Sequence, residues 1–233
     1  MRKSAVRESM SKSISTDLPN ITSMCEKYIE KRIVPYAAFK RFLDFLAALF
    51  VLAILFPLFL AIAIAIKVTS PGSIIFKQVR IGHRGRPFIF YKFRSMFIDA
   101  EARRESLQHL NESVGPTFKI KNDPRVTPIG RWLRKLSLDE LPQFFNVLMG
   151  DMSLVGPRPP LPAEVEQYTP IHTQRLAVTP GITCLWQISG RSNVSFDHWV
   201  EMDIFYIENM SFWLDLKILL LTIPAVMKGD GAY

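Results

Sequence analysis

Asp139 and Glu140 form an acidic pair directly after a basic segment, and this pair is the first candidate for chemistry in the chain. Arg131, Arg134 and Lys135 lie just upstream, and an aspartate in the first turn of a helix also meets the positive end of the helix dipole. Both effects are expected to lower the pKa of Asp139 and keep it ionised. An ionised aspartate can attack phosphorus to form an acyl phosphate, while a neighbouring carboxylate such as Glu140 holds Mg²⁺ together with substrate phosphates.

The same segment also has a purely structural interpretation. Ser137 followed three residues later by Glu140 is a capping box, and Gly150 is a typical helix stop, so a helix is predicted between them. In this interpretation Glu140 only caps the helix and Asp139 only complements its dipole. It leaves the upstream cations unused, and it gives Pro142 no role.

Further cations stand where they could bind phosphate. If residues 88–94 form a strand, Lys92 and Arg94 point the same way at ~6.7 Å, a separation that suits a diphosphate. From spacing alone, a solvated basic strand face is the simpler explanation. Arg158 is held between two prolines, which stiffen its loop, and Arg191 follows a glycine turn. Taken singly, either arginine could be an ordinary salt-bridge partner.

An apolar run over residues 42–66 predicts a membrane segment, because its 25 residues are interrupted only by Asp44 and Pro57. Such a segment would hold the candidate groups near a membrane. One straight helix would reach ~37 Å, but Pro57 divides the run into limbs that are each too short to span. Five Lys or Arg lie within twenty residues on each side, which favours a re-entrant hairpin with both ends in the cytoplasm. A Pro-kinked spanning helix is the alternative. In both arrangements, the re-entrant hairpin and the Pro-kinked helix, Arg41 is expected to neutralise the charge of Asp44.

The composition limits the class of protein. The 233 residues are 48% hydrophobic with a mean hydropathy of +0.14, which excludes a disordered or collagen-like chain. The net charge of +8 favours phosphate-rich partners: nucleic acid, anionic lipid or a phosphorylated substrate. Two distant cysteines exclude a disulfide framework and a zinc site. We predict a flexible basic tail (1–39), a membrane anchor (40–67) and a catalytic domain (68–233) whose C-terminal helices lie at the membrane interface.

Five motifs occur in order between about residues 40 and 227. They are Lys40-Arg41-x-x-Asp44, Tyr91-Lys92-Phe93-Arg94-Ser95-Met96, the Leu-Ser-Leu-Asp-Glu-Leu-Pro-Gln segment at 136–143, the Gly-Asp-Met-Ser-Leu-Val-Gly-Pro-Arg-Pro segment at 150–159, and Ser189-Gly190-Arg191. Together they resemble the bacterial sugar transferase family, the monotopic phosphoglycosyl transferases. The resemblance implies a helix-rich α+β fold, with a re-entrant, Pro-broken helix hairpin as membrane anchor and interfacial amphipathic helices around a cytoplasmic catalytic domain. The break is a Ser-Pro pair in the family, whereas Phe56 precedes Pro57 here.

The resemblance also implies an activity at the cytoplasmic face of the bacterial inner membrane. A sugar 1-phosphate, galactose or glucose 1-phosphate in the members that look most similar, passes from a UDP-sugar to undecaprenyl phosphate with release of UMP. This reaction initiates the synthesis of exopolysaccharide or another surface glycan. The partners are thus UDP-sugar, undecaprenyl phosphate and membrane lipid, without nucleic acid, and a homo-oligomer is allowed.

Site roles follow from the same resemblance. Asp139 is the nucleophile that forms a phosphosugar intermediate, and Glu140 holds the Mg²⁺ cofactor. The phosphate-binding residues are Lys92, Arg134, Arg158 and Arg191, together with Arg94 from its position beside Lys92 on the strand.

Two other classes of protein agree with part of the sequence. A glycosyltransferase that moves only the sugar would release UDP, but the chain has no Asp-x-Asp motif, and Glu201-x-Asp203 on a predicted helix is a poor substitute. A non-catalytic basic membrane module would explain the charge and the anchor. It would not explain a rigid arginine loop together with a carboxylate pair.

Overall fold

The computed structural model describes residues 34–112, 118, 120–189 and 195–228. The helices are α1 (Val34–Ile54), α2 (Phe56–Thr69), α3 (Pro128–Lys135), α4 (Gln143–Met149), α5 (Pro162–Val165), α6 (Pro170–Thr173), α7 (Leu185–Ile188), α8 (Phe196–Glu208) and α9 (Phe212–Lys228). The strands are β1 (Ile75–Ile81), β2 (Pro87–Phe93), β3 (Ser153–Val155) and β4 (Gly181–Thr183), and 3₁₀ turns lie at His83–Gly85, Glu105–Leu110, Leu138–Glu140 and Gln174–Ala177. The predicted helix-rich α+β fold class is confirmed.

The apolar run forms two helices, α1 and α2, that meet at Leu55 with a bend of 62°. Pro57 lies in the first turn of α2. Backbone N–H groups there have no hydrogen-bond partner within the helix, so the N–H that proline lacks is not needed. The predicted break in the run is therefore confirmed. Within the described part of the chain, no single helix is long and apolar enough to cross a membrane, whereas the bent pair together passes that test of length and composition. Helix α1 begins at Val34, so the last residues of the predicted tail are helical.

A buried carboxylate joins α1 to the C-terminal helix α9. Asp215 accepts hydrogen bonds from the hydroxyls of Tyr36 and Tyr206, both at 2.7 Å, and pairs with the ammonium group of Lys40. These contacts link residues that are far apart in sequence, and they hold the first turns of α1 against α8 and α9.

Arg41 and Asp44 do not form the ion pair that the sequence predicted. Arg41 donates hydrogen bonds to the carbonyl oxygens of Val147 and Leu148, at the C-terminal end of α4. Asp44 instead accepts the backbone N–H of Leu154 at 3.2 Å and lies 4.0 Å from Lys40. The prediction was wrong because the last carbonyls of a helix also require a donor, and Arg41 supplies it.

Strands β1 and β2 form an antiparallel hairpin, with Ile75 opposite Phe93 and Ile81 opposite Pro87. The glycines at positions 82 and 85 predict a turn between two strands. This prediction is confirmed, and the 3₁₀ segment of the turn includes positive φ angles at Arg84 and Gly85. Phenylalanines from β2 pack with residues of α1 and α4 in a buried cluster of Ala48, Phe88, Phe90, Val147 and Met152. A separate parallel pair, β3 and β4, aligns Ser153 with Gly181.

The segment between α3 and α4 differs from the predicted capped helix. Ser137 has a φ of 53°, in the left-handed region, and its side chain makes no capping hydrogen bond. Because an N-cap residue must be extended, the predicted capping box cannot form. Asp139 and Glu140 instead lie in a 3₁₀ turn, and α4 begins only after Pro142, which needs no N–H there. The helix stop at Gly150 is confirmed, with a φ of 85°.

Two other predicted segments can be compared with the structure. The charged segment 98–111 predicts a helix, but it forms turns followed by a short 3₁₀ helix. The sequence of residues 112–127, with Gly115, Pro116 and Pro124, predicts a loop, of which residues 113–117 and 119 lie outside the described part. At the C-terminus the predicted helices are present as α8 and α9, and α9 exposes large apolar side chains, including Trp213 at 74% and Met227 at 76%.

Candidate active site

A cavity of about 440 Å³ lies beside the hairpin, the 3₁₀ turn of the acidic pair, the loop after β3 and helix α7. Its lining is strongly basic. The cationic residues are Arg80, Lys92, Arg94, Arg104, Arg125, Arg134 and Arg158, and the acidic residues are Glu101, Asp139, Glu140 and Glu164. Such a cavity attracts an anionic ligand, since its walls concentrate a positive field.

The acidic pair lies at the wall of this cavity, in contact with one lysine. The Nζ atom of Lys92 is 2.6 Å from Oε1 of Glu140 and 3.7 Å from Oδ2 of Asp139. Asp139 is only 5% exposed. The structure thus brings together three residues that the sequence singled out, from β2 and from a turn almost fifty positions later.

The pKa of Asp139 is raised, not lowered. Burial of the carboxyl is the largest cause, and the nearby charge of Glu140 adds to it, whereas Lys92 and Arg134 oppose it. The expected decrease was wrong because the sequence shows neighbouring charges but does not show desolvation, which favours the neutral acid. When ionised, such a carboxylate is poorly hydrated and more basic than an exposed one, and both properties favour attack on an electrophile.

Lys92 and Arg94 both line the cavity, so they are not the solvated strand face that spacing alone favoured. Only Lys92 reaches the acidic pair. Arg94 follows the end of β2, and its guanidinium donates to the carbonyl of Ser70 at 2.8 Å and to the Ser70 hydroxyl at 2.6 Å. Arg94 therefore holds the turn that follows α2, and its predicted contact with phosphate stays a prediction.

The other predicted phosphate ligands lie at different parts of the wall. Arg134 is in the last turn of α3, immediately before the acidic pair. Arg158 stands in the proline-rich loop after β3, and its Cζ atom lies 6.0 Å from the centre of the Trp186 ring. Arg191 lies outside the described residues.

Aromatic rings support the wall at Arg158. The Trp186 and Trp199 rings stack at 4.5 Å with an angle of 18° between their planes. The Cζ atom of Arg175 lies 4.4 Å from the centre of the Trp199 ring, on an arginine that is itself buried and paired with Asp203 at 2.7 Å. This stack gives Arg158 a rigid support. The sequence alone does not reveal this stack, because its residues meet only through the fold.

Arg80 is a second cavity residue that the sequence analysis missed. It is 7% exposed, and it donates to the carbonyl of Pro159 at 3.0 Å and to the side chain of Gln78 at 3.1 Å. Burial and the neighbouring charge of Arg158 lower its pKa to about 10. The alternation of a strand could have found it, because Phe76 lies opposite Lys92 and Arg80 is four residues further along the same face.

The acidic pair suits Mg²⁺. This ion prefers oxygen ligands and commonly takes only one or two protein carboxylates, completing its shell with substrate phosphates and water. Glu140 and Asp139 offer such oxygens beside a cavity, and Lys92 shows that a positive charge is favourable there. Among the described residues no group of three or more His, Cys, Asp or Glu could hold a metal ion.

Glu201 and Asp203, the pair considered as an Asp-x-Asp substitute, do not form a shared site. Asp203 is 1% exposed and paired with Arg175, and burial raises its pKa to about 6. Glu201 is exposed and contacts His198 at 2.9 Å. Their geometry gives no support to the glycosyltransferase alternative.

Comparison with known proteins gives matches along most of the chain. A model of the bacterial sugar transferase family matches residues 35–229. The chain is 49% identical over 195 residues to the galactosyl transferase CpsE of Streptococcus agalactiae serotype III, covering 83% of this chain and 43% of that protein. It is 44% identical over 202 residues to the undecaprenyl-phosphate galactose phosphotransferase of Salmonella typhimurium, covering 83% of this chain and 41% of that protein.

A third relative is similar in length. The exopolysaccharide production protein ExoY of Rhizobium meliloti is 44% identical over 198 residues, which cover 83% of this chain and 88% of that protein. The chain therefore spans about two fifths of the length of the first two relatives and most of the third.

Proposed function

Because the chain belongs to the bacterial sugar transferase family, we propose that it transfers a sugar 1-phosphate from a UDP-sugar to undecaprenyl phosphate and releases UMP. The observation that carries this proposal is the buried Asp139 at the wall of a basic cavity, 3.7 Å from Lys92. The name of the Salmonella relative supports undecaprenyl phosphate as acceptor and galactose as sugar. Such a transfer initiates the synthesis of a surface polysaccharide.

In the first step, an ionised Oδ atom of Asp139 attacks the phosphorus that carries the sugar. A bond forms between that oxygen and phosphorus, the bond from this phosphorus to the bridging oxygen breaks, and UMP leaves with the bridging oxygen and its electron pair. Lys92 lies within reach of both carboxylates and offsets the negative charge that gathers as the diphosphate approaches.

Arg134 and Arg158 bind the phosphates from two sides of the cavity, so that the phosphorus is held facing Asp139. Glu140, with Asp139 beside it, would hold Mg²⁺. The bound ion supplies neutralisation of the charge on the diphosphate and on the leaving phosphate.

In the second step, a phosphate oxygen of undecaprenyl phosphate attacks the same phosphorus. The bond between Asp139 and phosphorus breaks, the carboxylate is restored, and the sugar leaves as part of a lipid diphosphate. Because the two substrates react one after the other, ping-pong kinetics are expected.

The anchor and the C-terminal helices bring this chemistry to a membrane. Helices α1 and α2 expose large apolar side chains such as Phe42, Phe50 and Phe56, and α9 exposes Trp213 and Ile223. A re-entrant α1–α2 pair at the cytoplasmic face of the inner membrane would keep the cavity beside both the lipid acceptor and the soluble nucleotide sugar.

The test uses the full chain, purified in detergent micelles with undecaprenyl phosphate, and offers UDP-galactose and UDP-glucose with chromatographic identification of the nucleotide released. UMP is expected, and its release should fall by orders of magnitude in a folded Asp139→Asn variant. UDP as the product would overturn the proposal in favour of a glycosyltransferase. Near-normal turnover by Asp139→Asn would remove Asp139 from the mechanism.

A further inference from the structure

A second, smaller cavity lies beside Glu140. It measures about 20 Å³, and it shares Arg80, Glu140, Arg158 and Gln187 with the wall of the large cavity. A volume of this size holds about one water-sized group. The shared residues place it next to the large cavity, and we call it the inner cavity; it has room for about one oxygen atom of a ligand but not for a ring.

Gln143 gives this inner cavity an unused hydrogen-bond donor. The residue begins α4 and is 2% exposed, and its Nε2 atom is buried with no hydrogen-bond partner among the described residues. A buried N–H without a partner destabilises a protein by roughly 1–3 kcal/mol, so such groups are rare unless a ligand or water completes them. Gln143 lines the inner cavity.

Two arginines line the same space. Arg80 is buried, and its hydrogen bonds within the described chain go to two neutral acceptors, the Pro159 carbonyl and the Gln78 side chain. Arg158 lines the same wall, and it is near enough to Arg80 that the two charges repel. Glu140 also lines the space, but its charge is offset by Lys92 at 2.6 Å. An acceptor that carries negative charge fits this surrounding better than a neutral one.

We propose that Gln143 and Arg80, together with Arg158, form an inner subsite that binds one non-bridging phosphate oxygen of a substrate. The subsite rests on the proposed function for its choice of substrate, and both the diphosphate of the nucleotide sugar and the lipid phosphate carry such an oxygen. With that oxygen bound, the Gln143 amide gains an acceptor and the two guanidinium groups gain a counter-charge. The phosphorus that carries this oxygen is then held beside Asp139.

The test compares Gln143→Met and Gln143→Glu with the wild-type chain. Met keeps the length of the side chain and removes the donor, whereas Glu keeps the shape and places a negative charge where the phosphate oxygen would bind. We expect the KM of the substrate that uses the subsite to rise about tenfold in Gln143→Met, within the range for a hydrogen bond to a charged group, and further in Gln143→Glu. The matched controls Gln167→Met and Gln167→Glu change an exposed glutamine and should leave both KM values unchanged.

The two substrates are varied separately. A rise in the KM for UDP-sugar alone assigns the subsite to the donor, and a rise in the KM for undecaprenyl phosphate alone assigns it to the acceptor. Thermal unfolding separates binding from structure: Gln143→Met should unfold at the same or a higher temperature than wild type, because it removes a buried donor without a partner. Unchanged KM values for both substrates in both folded variants, or a lower unfolding temperature with loss of kcat alone, would overturn the subsite.

A direct binding measurement makes this result independent of the proposed activity. Inorganic pyrophosphate and inorganic phosphate are titrated calorimetrically into the wild-type chain and into Gln143→Glu. Weaker binding to the variant supports the subsite even if no UDP-sugar releases UMP. Equal binding to both proteins contradicts the subsite, and it leaves the proposed function to be judged by UMP release.

Discussion

The Nζ atom of Lys92 lies 2.6 Å from Oε1 of Glu140, although 48 residues separate them in sequence. This contact joins the end of the β1–β2 hairpin to the turn that carries Asp139. The ammonium group occupies the region that a divalent cation would share with the same carboxylate. Lys92 and the metal ion are therefore expected to compete for Glu140, or to change their positions relative to it when substrate binds.

The first prediction concerns this pair. Glu140→Gln keeps the size of the side chain and removes the charge that would hold Mg²⁺. We expect UMP release to fall at low Mg²⁺ and to recover in part as Mg²⁺ is raised, which a titration of rate against Mg²⁺ measures. The exposed residue Glu166 provides the control variant Glu166→Gln. The same Mg²⁺ dependence in Glu140→Gln and wild type would show that Glu140 is not a ligand.

The second prediction concerns stability and pH at Asp139. Burial raises the pKa of this carboxyl, so the folded chain binds the proton more tightly than the unfolded chain does. The contribution of Asp139 to stability is therefore greatest at low pH and is lost as the pH rises through its folded pKa. Asp139→Asn stays neutral at every pH.

Consequently Asp139→Asn should unfold at a higher temperature than wild type at pH 7, and the difference should shrink as the pH falls toward 4. Differential scanning calorimetry over that range measures the effect, with the exposed Glu166→Gln as a matched carboxylate-to-amide control. A variant that is less stable than wild type at pH 7 would mean that ionised Asp139 is held by net favourable contacts.

The third prediction uses two arginines on one helix. Arg134 lines the cavity, whereas Arg131 is exposed on α3 and absent from the wall. Arg134→Met should raise the KM for UDP-sugar by about tenfold or more, because a hydrogen bond to a charged phosphate is lost. Arg131→Met should change it by less than about twofold. Equal effects in the two variants would indicate only a general loss of positive charge.

The fourth prediction tests the contact between β2 and α4. Asn146 is fully buried, and its side chain accepts the N–H of Tyr91 at 3.1 Å and donates to the carbonyl of Ile89 at 2.7 Å. Asn146→Ala leaves two partly buried backbone groups without that partner, so the free energy of unfolding should fall by ~1–3 kcal/mol. Urea denaturation measures this, with the exposed Asn209→Ala as control. A fall below about 0.5 kcal/mol would show that β2 and α4 are held together by apolar packing alone.

Local chemistry explains which features were predictable from the sequence. The break at Pro57, the glycine turn of the hairpin and the stop at Gly150 depend on backbone restrictions of single residues, and all three are present. The basic character of the cavity also follows from composition, since phosphate-directed cations were visible in the motifs before their positions were known.

Other features depend on contacts between distant segments, and these could not be read from the sequence. The capping box at Ser137 satisfies a local pattern, but the left-handed backbone there is set by the turn from α3 toward the cavity. The pKa of Asp139 has the opposite direction because the carboxyl is buried where β2 and α3 pack against its turn. Arg80 and Gln143 gain their roles only where the hairpin meets the loop after β3.

The last prediction concerns Pro57 and the topology of the anchor. The bend of 62° at Leu55 coincides with a proline in the first turn of α2, and the flanks of the apolar run are equally basic. Pro57→Leu restores a backbone donor and removes the clash with the preceding turn. The apolar run of 25 residues can then continue as one helix of ~37 Å, longer than the hydrocarbon core. We expect part of the variant population to span the membrane.

An epitope tag at the N-terminus reports the topology in intact spheroplasts, where added protease reaches only the periplasmic face. The wild-type tag should resist digestion, and a fraction of the Pro57→Leu tag should be cut. Pro224→Leu, which changes the proline inside the exposed C-terminal helix α9, is the matched control and should behave as wild type. Digestion of the wild-type tag would mean that α1 and α2 already cross the bilayer together, because a re-entrant pair keeps both of its ends on the cytoplasmic side.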